Sequence, residues 1–109
     1  MFSIIVPAFN EGEHIFDNLK KIAEAVERFT DDYEVIAVND GSRDDTGAEI
    51  ARAARENTHI VDAGYEVNRG KGGAIKQGIS VCRGDQVGFI DADLDIPANL
   101  IEPYYKAML

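Results

Sequence analysis

A single cysteine, Cys82, occurs in the 109 residues, which excludes a disulfide framework and a cysteine-built zinc site. Cations are scarce as well: 11 lysines and arginines stand against 20 aspartates and glutamates, for a net charge of −9. That balance argues against nucleic acid or an anionic membrane surface as a partner held by bulk electrostatics. No apolar run approaches the roughly 20 residues of a membrane span. Met1 leads directly into a strand-like run rather than a secretory leader. A soluble, cytoplasmic protein is expected, peripheral to a membrane at most within a longer parent chain. Repeats and low-complexity segments are missing too. The length suits one domain, residues 1–109, which would bury about two-thirds of the surface of its unfolded chain.

What is present is an alternation of short apolar runs and helical patterns. Phe2 to Val6 is apolar apart from Ser3 and is ended by Pro7. Asn10 precedes Glu13 by three, the spacing of a capping box. Ile15, Leu19, Ile22, Val26 and Phe29 then form one helical stripe. Tyr33 to Val38 reads as a second strand. Ser42 with Asp45 reads as a second capping box, opening a helix to about Arg55 with apolar positions Ala48, Ile50, Ala51 and Ala54. His59 to Val61 is a short third strand, and Asp62 to Arg69 a loop. A third helix starts at Gly70 with Ile75, Ile79 and Cys82 on its buried face. Gln86 to Ile90 is a fourth strand, and Pro97 suits the first turn of a last helix running toward Leu109.

This order predicts an α/β fold: a Rossmann-like, mainly parallel sheet flanked by helices, with right-handed crossovers. Ligands of such sheets sit beyond the carboxyl ends of the strands, near a switch in strand order. Asn10, Asp40, the stretch from Gly64 to Lys71, and Asp91 all follow strand carboxyl ends and would converge there.

Asp91, Asp93 and Asp95 alternate with apolar residues just after the fourth strand, so an extended chain puts the three carboxylates on one side. Like charges about 4 Å apart repel by roughly 4 kcal/mol at an effective dielectric of about 20. A hard divalent cation with oxygen ligands relieves that repulsion, which makes the cluster a candidate metal site. An EF-hand is the rival, with Glu102 at its twelfth position. It fails because Ile96 stands where a sharp turn requires glycine, and because a strand precedes the loop. Three solvated surface acids are the plainer alternative, weakened because Asp91 and Asp93 directly continue a buried strand.

The remaining motifs are weaker alone. Pro7 to Gly12 lacks the three glycines of a dinucleotide fingerprint, so no nicotinamide or flavin cofactor is expected. Asp40 sits at a strand end, either as part of a turn or as an acceptor for a ribose or base edge. Asp44 and Asp45 suit a helix start. Gly70-Lys71-Gly72-Gly73 departs from a P-loop in its spacing from Gly64, and Gly72 replaces the metal-binding hydroxyl. It remains either a helix start packed against its neighbours or, with Arg69 and Lys71, a place for an anion or a base. His14 and His59 are isolated, and Tyr104 and Tyr105 suit packing or a chain end.

Taken in order, Ser3-Ile-Ile-Val-Pro-Ala-Phe-Asn-Glu11, Val38-Asn-Asp-Gly-Ser42, Asn68-Arg-Gly-Lys-Gly72 and Asp91-Ala-Asp93 resemble the family 2 glycosyltransferases. The likeness is to the dolichyl-phosphate mannose and glucose synthase branch, and it covers nearly the whole chain. It implies a GT-A fold whose donor-binding half takes a nucleoside-diphosphate sugar. By the same resemblance Pro7, Phe9 and Glu11 line the nucleoside pocket, Asp40 contacts the base or ribose, and Arg69 and Lys71 lie beside the nucleotide. Asp91 and Asp93 form the metal-binding pair for Mn2+ or Mg2+, with Asp95 an additional ligand. An inverting transfer to a lipid-phosphate or polysaccharide acceptor is implied, with no general base assignable. Such enzymes run to twice this length or more. The expectation is therefore a truncated donor-binding half, or one that a partner completes, with open apolar surface that favours homo-oligomers. Two other classes are alternatives: a non-catalytic nucleotide- or metal-binding module acting through assembly, and a phospho-acceptor receiver domain. The receiver ranks last, because only Glu11 follows the first strand where paired acids are needed.

Overall fold

A computed structural model describes residues 1–92. Four parallel strands, β1 (Phe2–Ala8), β2 (Tyr33–Asn39), β3 (Ile60–Asp62) and β4 (Gln86–Phe89), alternate with α1 (Ile15–Glu27), α2 (Thr46–Glu56) and α3 (Gly70–Val81). The order across the sheet is β3-β2-β1-β4. Ile5 of β1 lies between Ile36 of β2 and Phe89 of β4, and Val35 of β2 lies beside Ile60 of β3. The chain steps outward twice and then returns past its own first strand, so the switch in order falls between β1 and β4. Right-handed crossovers then require α3 on the face opposite α1 and α2, and the two separate cores agree.

The larger core packs Phe2, Ile4, Val6, Val35 and Ala37 against Ile15, Leu19, Ile22, Val26, Ile50 and Ala53. The smaller places Ile5, Ile36 and Val38 under Ala74. Both faces of β1 and β2 are therefore covered, which is why these strands read as continuous apolar runs. Each fully buried isoleucine or leucine contributes roughly 1.5–3 kcal/mol. Pro7 does not end β1, which continues to Ala8. At Pro7 only β2 is a partner, because pairing with β4 stops at Ile5; a residue without an N–H is tolerated along such an open edge. Among the described residues no helix is long and apolar enough to cross a membrane.

Three expectations are corrected. Asn10 and Ser42 do not cap their own helices: the residues before α1 and α2 are His14 and Asp45, and neither makes a side-chain cap. On α2 Ile50 is buried and Ala54 packs against the larger core as expected, but Thr46 and Ala53 are the other buried positions and Ala48 is exposed. At the end of α3 Cys82 packs against the smaller core as expected, but the buried positions of the helix are Ala74 and Gly78, and Ile79 is 55% exposed. The reason is spacing between elements. A Cβ at Gly78 would lie 2.5 Å from Cγ2 of Ile5, so α3 sits too close to β1 for the side chains of an isoleucine stripe. The expected last helix, with Pro97, Glu102, Tyr104 and Tyr105, lies outside the described residues.

Glu34 is a charged residue inside β2 that the apolar pattern conceals. It is 2% exposed and accepts hydrogen bonds from Ser3 Oγ at 2.7 Å and from the Arg83 N–H at 2.6 Å. Arg83 Nε lies 3.4 Å away, and Gly84 N–H donates to Ser3 Oγ at 2.9 Å. Burial alone pushes the carboxyl pKa up, but the Arg83 backbone, the Ser3 hydroxyl and the Arg83 side chain outweigh it and hold the value below the ordinary one. A depressed folded pKa means that the unfolded chain binds the proton first. The contribution is therefore complete above the unfolded glutamate range and is lost as pH falls through the folded value. Glu34→Gln is expected to cost about 1.5–3 kcal/mol at pH 7. Denaturant titrations of both proteins from pH 7 to pH 3 should show that gap narrowing at the acid end; a constant gap would rule out the charge as its source.

Candidate functional site

The carboxyl edge of the sheet is built from loops that hold one another. Asn10 takes a left-handed backbone (φ 52°), a conformation that asparagine tolerates. Its N–H donates to Ser42 Oγ at 2.9 Å, and its side-chain oxygen accepts from Arg43 N–H at 3.0 Å. Glu11 N–H donates to Thr46 Oγ1 at 2.9 Å, and Gly12 N–H to Asp44 at 3.1 Å. The Asp44 pKa is lowered, chiefly by the Thr46 hydroxyl. Asn10 and Ser42 thus bond across the two loops, while Asp44 also accepts from Thr46 N–H at the start of its own helix.

Pro7, Ala8, Phe9 and Glu11 from β1 and its loop, Asp40 from β2, Asn68, Gly70 and Lys71 from the entry to α3, and Asp91 and Ala92 after β4 line one cavity of about 370 Å3. It opens at the switch between β1 and β4, where such folds take ligands. Of the residues expected at a nucleotide, Pro7, Phe9, Glu11, Asp40, Lys71 and Asp91 are brought together here. Arg69 is not part of the lining: its guanidinium lies 4.1 Å over the Tyr65 ring. Asp93 and Asp95 lie outside the described residues.

Lys71 and Asp91 face each other across the cavity, Nζ lying 2.7 Å from Oδ1 and 3.0 Å from Oδ2. The Asp91 carboxylate thus already holds a cation with both oxygens, the ammonium standing where a divalent ion would also be favoured. Among the described residues no cluster of three or more histidine, cysteine, aspartate or glutamate side chains forms a metal site. Asp91 supplies one hard oxygen donor group, of the chemistry Mn2+ or Mg2+ requires. Asn18, on the buried side of α1, donates to the Ala92 carbonyl at 2.6 Å and fixes the chain just past Asp91.

Asp40 is 4% exposed and accepts from the Tyr65 hydroxyl at 2.5 Å, Arg69 N–H at 2.8 Å and Asn68 Nδ2 at 3.0 Å. Tyr65 and Asn18 were not legible as site residues, since nothing local marks a partner 25 or 74 residues away. Asn68 stands inside the Asn68-Arg-Gly-Lys-Gly72 motif, but its bond to Asp40 has no local signal either.

The glycines divide into two kinds. Gly41 has φ 66°, and a Cβ there would lie 2.3 Å from Asn68 N, so the loop requires glycine. Gly72 has nothing within 4 Å of an added Cβ. The packed helix start is therefore not its explanation, and the first turn of α3 presents bare backbone at the cavity rim. A second cleft, also about 370 Å3, lies between α1 and α2 and includes Glu24, Glu27 and Glu56. It runs along α1 from Phe16 past Lys20 to Glu27 and meets the last turn of α2, so the helix ends that reach it are carboxyl ends, whose dipoles disfavour an anionic ligand.

The family model described as "Glycosyl transferase family 2" matches residues 3–109. The undecaprenyl-phosphate 4-deoxy-4-formamido-L-arabinose transferase of Pseudomonas fluorescens (strain SBW25) is 38% identical over 100 residues, covering 91% of this chain and 29% of that protein. The mannosyltransferase PcManGT from Pyrobaculum calidifontis, solved in complex with GDP-Man and Mn2+, superposes with a TM-score of 0.78 at 28% identity. That match covers 91% of this chain and 29% of the other. Glucosyl-3-phosphoglycerate synthase from Mycobacterium tuberculosis, solved with Mn2+, UDP and phosphoglyceric acid, gives a TM-score of 0.71 at 30% identity. It covers 95% of this chain and 37% of that one. The chain spans less than a third of the length of the curated relatives it matches.

The contrast between the glycines is testable by thermal unfolding. Gly41→Ala should cost about 1–3 kcal/mol through forced left-handed strain. Gly72→Ala should raise stability by up to about 1 kcal/mol, as alanine does in a helix. Equal effects at the two positions would contradict the distinction.

Proposed function

Because the chain belongs to glycosyl transferase family 2 and has the parallel sheet of a GT-A fold, we propose that it is the donor-binding part of a metal-dependent, inverting glycosyltransferase. The donor is a nucleoside-diphosphate sugar, and the acceptor a lipid phosphate or a polysaccharide. The observation that carries this reading is the convergence of four loops on one cavity at the sheet's switch point, with Lys71 and Asp91 across it. In the transfer an acceptor oxygen attacks the anomeric carbon, the bond from that carbon to the diphosphate oxygen breaks, and the nucleoside diphosphate leaves. Inversion follows from attack opposite the leaving group.

Asp91, with Asp93 and Asp95 from the following segment, would hold Mn2+ or Mg2+. When bound, such an ion neutralises charge that grows on the departing diphosphate. The chain's own groups act in the same direction. Lys71, released from Asp91, carries a positive charge at the cavity wall. The bare first turn of α3 offers backbone N–H groups and the positive end of its dipole to phosphate. Phe9, 48% exposed, offers a ring face to the nucleoside, and Pro7 and Glu11 line the same wall. A lipid-phosphate acceptor is supported by the undecaprenyl-phosphate transferases among the relatives. Those relatives are transferases, so a purely assembling module is not favoured.

Calorimetric titration with UDP and with GDP, with and without Mn2+, tests this reading. One nucleotide should bind only with the metal, and Asp91→Ala should weaken it at least about tenfold, the scale of a lost charged contact. No metal-dependent binding of either nucleotide would overturn the assignment. Among the described residues β4 is an edge strand, and Phe89 at its end is 54% exposed, as are Ile79 and Val81 of α3 to 55% and 40%; in the isolated chain a second copy covers this edge. Sedimentation velocity should show dimers that Phe89→Lys dissolves; a monomer at high concentration would exclude this contact.

A further inference from the structure

The loop at the cavity rim, residues 65–69, has one apolar anchor, the Tyr65 ring packed against the smaller core. Val67 is 74% exposed, and Glu66, Asn68 and Arg69 are exposed as well. The rest of its hold is polar and centres on Asp40. Oδ1 accepts from the Tyr65 hydroxyl and from Arg69 N–H, while Asn68 Nδ2 donates both to Oδ2 and to the Asp40 carbonyl. Tyr65 N–H also donates to the Asn39 carbonyl at 3.1 Å, which extends β2 by one bridge. A carboxylate has about four acceptor positions, and the chain itself fills three of them. A ligand can claim at most one.

We propose that Tyr65 and Asn68 are positioning residues of the nucleotide pocket, acting through Asp40. They fix the orientation of its carboxylate and, with it, the path of the chain from Arg69 into Gly70 and Lys71. Asp40 is then chiefly a strut that holds the rim in its binding shape. This inference rests on the reading of the cavity as a nucleotide site. Its physical content is pre-organisation: a loop already ordered loses less freedom when the ligand arrives. Burial, and then the hydrogen bond to Asp40 and its charge, push the Tyr65 hydroxyl up to about 12, so the phenol remains a donor at neutral pH. The Tyr65 ring also seats the Arg69 guanidinium, which keeps that cation beside the rim rather than in the cavity.

Tyr65→Phe in the full 109-residue chain deletes one hydroxyl and keeps the ring under Arg69. Without nucleotide, the amide of Arg69 should exchange about tenfold faster, while the amides of β1 and β2 are unchanged. With Mn2+ present, whichever of UDP or GDP binds the wild type should bind the variant about fivefold more weakly, at an unchanged melting temperature. Asn68→Ala should do the same, and it carries the test if Tyr65→Phe lowers the melting temperature. Unchanged affinity in both variants would overturn the positioning role, whether or not the Arg69 amide is deprotected. An affinity loss confined to Asp40→Asn would also overturn it, making Asp40 a direct ligand. Failure of the wild type to bind either nucleotide would instead overturn the reading of the cavity, and leave the loop with nothing to position.

Discussion

One strand, β2, carries a buried carboxylate at each end, and between them these two groups hold the segment that contains α3. Asp40 at the carboxyl end grips Tyr65, Asn68 and Arg69 on the way into the helix. Glu34 at the amino end grips Arg83 on the way out, with Ser3 relaying the hold to Gly84. Taking a carboxylate out of water costs several kcal/mol, so neither residue would persist there without donors. Both have them, and charge-assisted bonds of this kind are about twice as strong as neutral ones. The helix itself meets the sheet through Ala74 and Gly78, side chains too small to bury much area. Its position is set by polar ties at its ends and by the close fit of Gly78 over Ile5.

Acids line the cavities at both edges of the sheet, in keeping with the net charge of −9, and the edges differ in the helix ends they present. The carboxyl edge gathers Lys71, the open first turn of α3 and a loop whose exposed side chains surround a cavity. The amino edge gathers Glu24, Glu27 and Glu56 near helix carboxyl ends. The Lys71–Asp91 pair lies in the wall of the carboxyl-edge cavity, the ammonium within reach of both carboxylate oxygens.

Legibility followed the range of the interaction. The Ile15, Leu19, Ile22 and Val26 stripe is visible as a period and is fully buried. The four strands were recognisable because residues covered on both faces form unbroken apolar runs. β3 was displaced by only one residue and β1 extended by two, since strand ends depend on a neighbour's register rather than on composition. α3 was different. With small residues facing the sheet, its largest side chains point outward, and a hydrophobic stripe read from size selects the wrong face.

Element order, the parallel sheet and the gathering of Asp40, Lys71 and Asp91 at one edge were determined by the sequence alone, and the family resemblance added Pro7, Phe9 and Glu11. Period, punctuation and position relative to a strand end are all local. Only the tertiary structure decided that Asn10 and Ser42 bond to the opposite loop, that Asp40 is occupied by Tyr65 and Asn68, and that Lys71 pairs with Asp91. Each of those contacts joins residues 20 to 33 positions apart. A hydrogen bond between such groups leaves no periodic trace, because its geometry exists only after the sheet has brought the loops together.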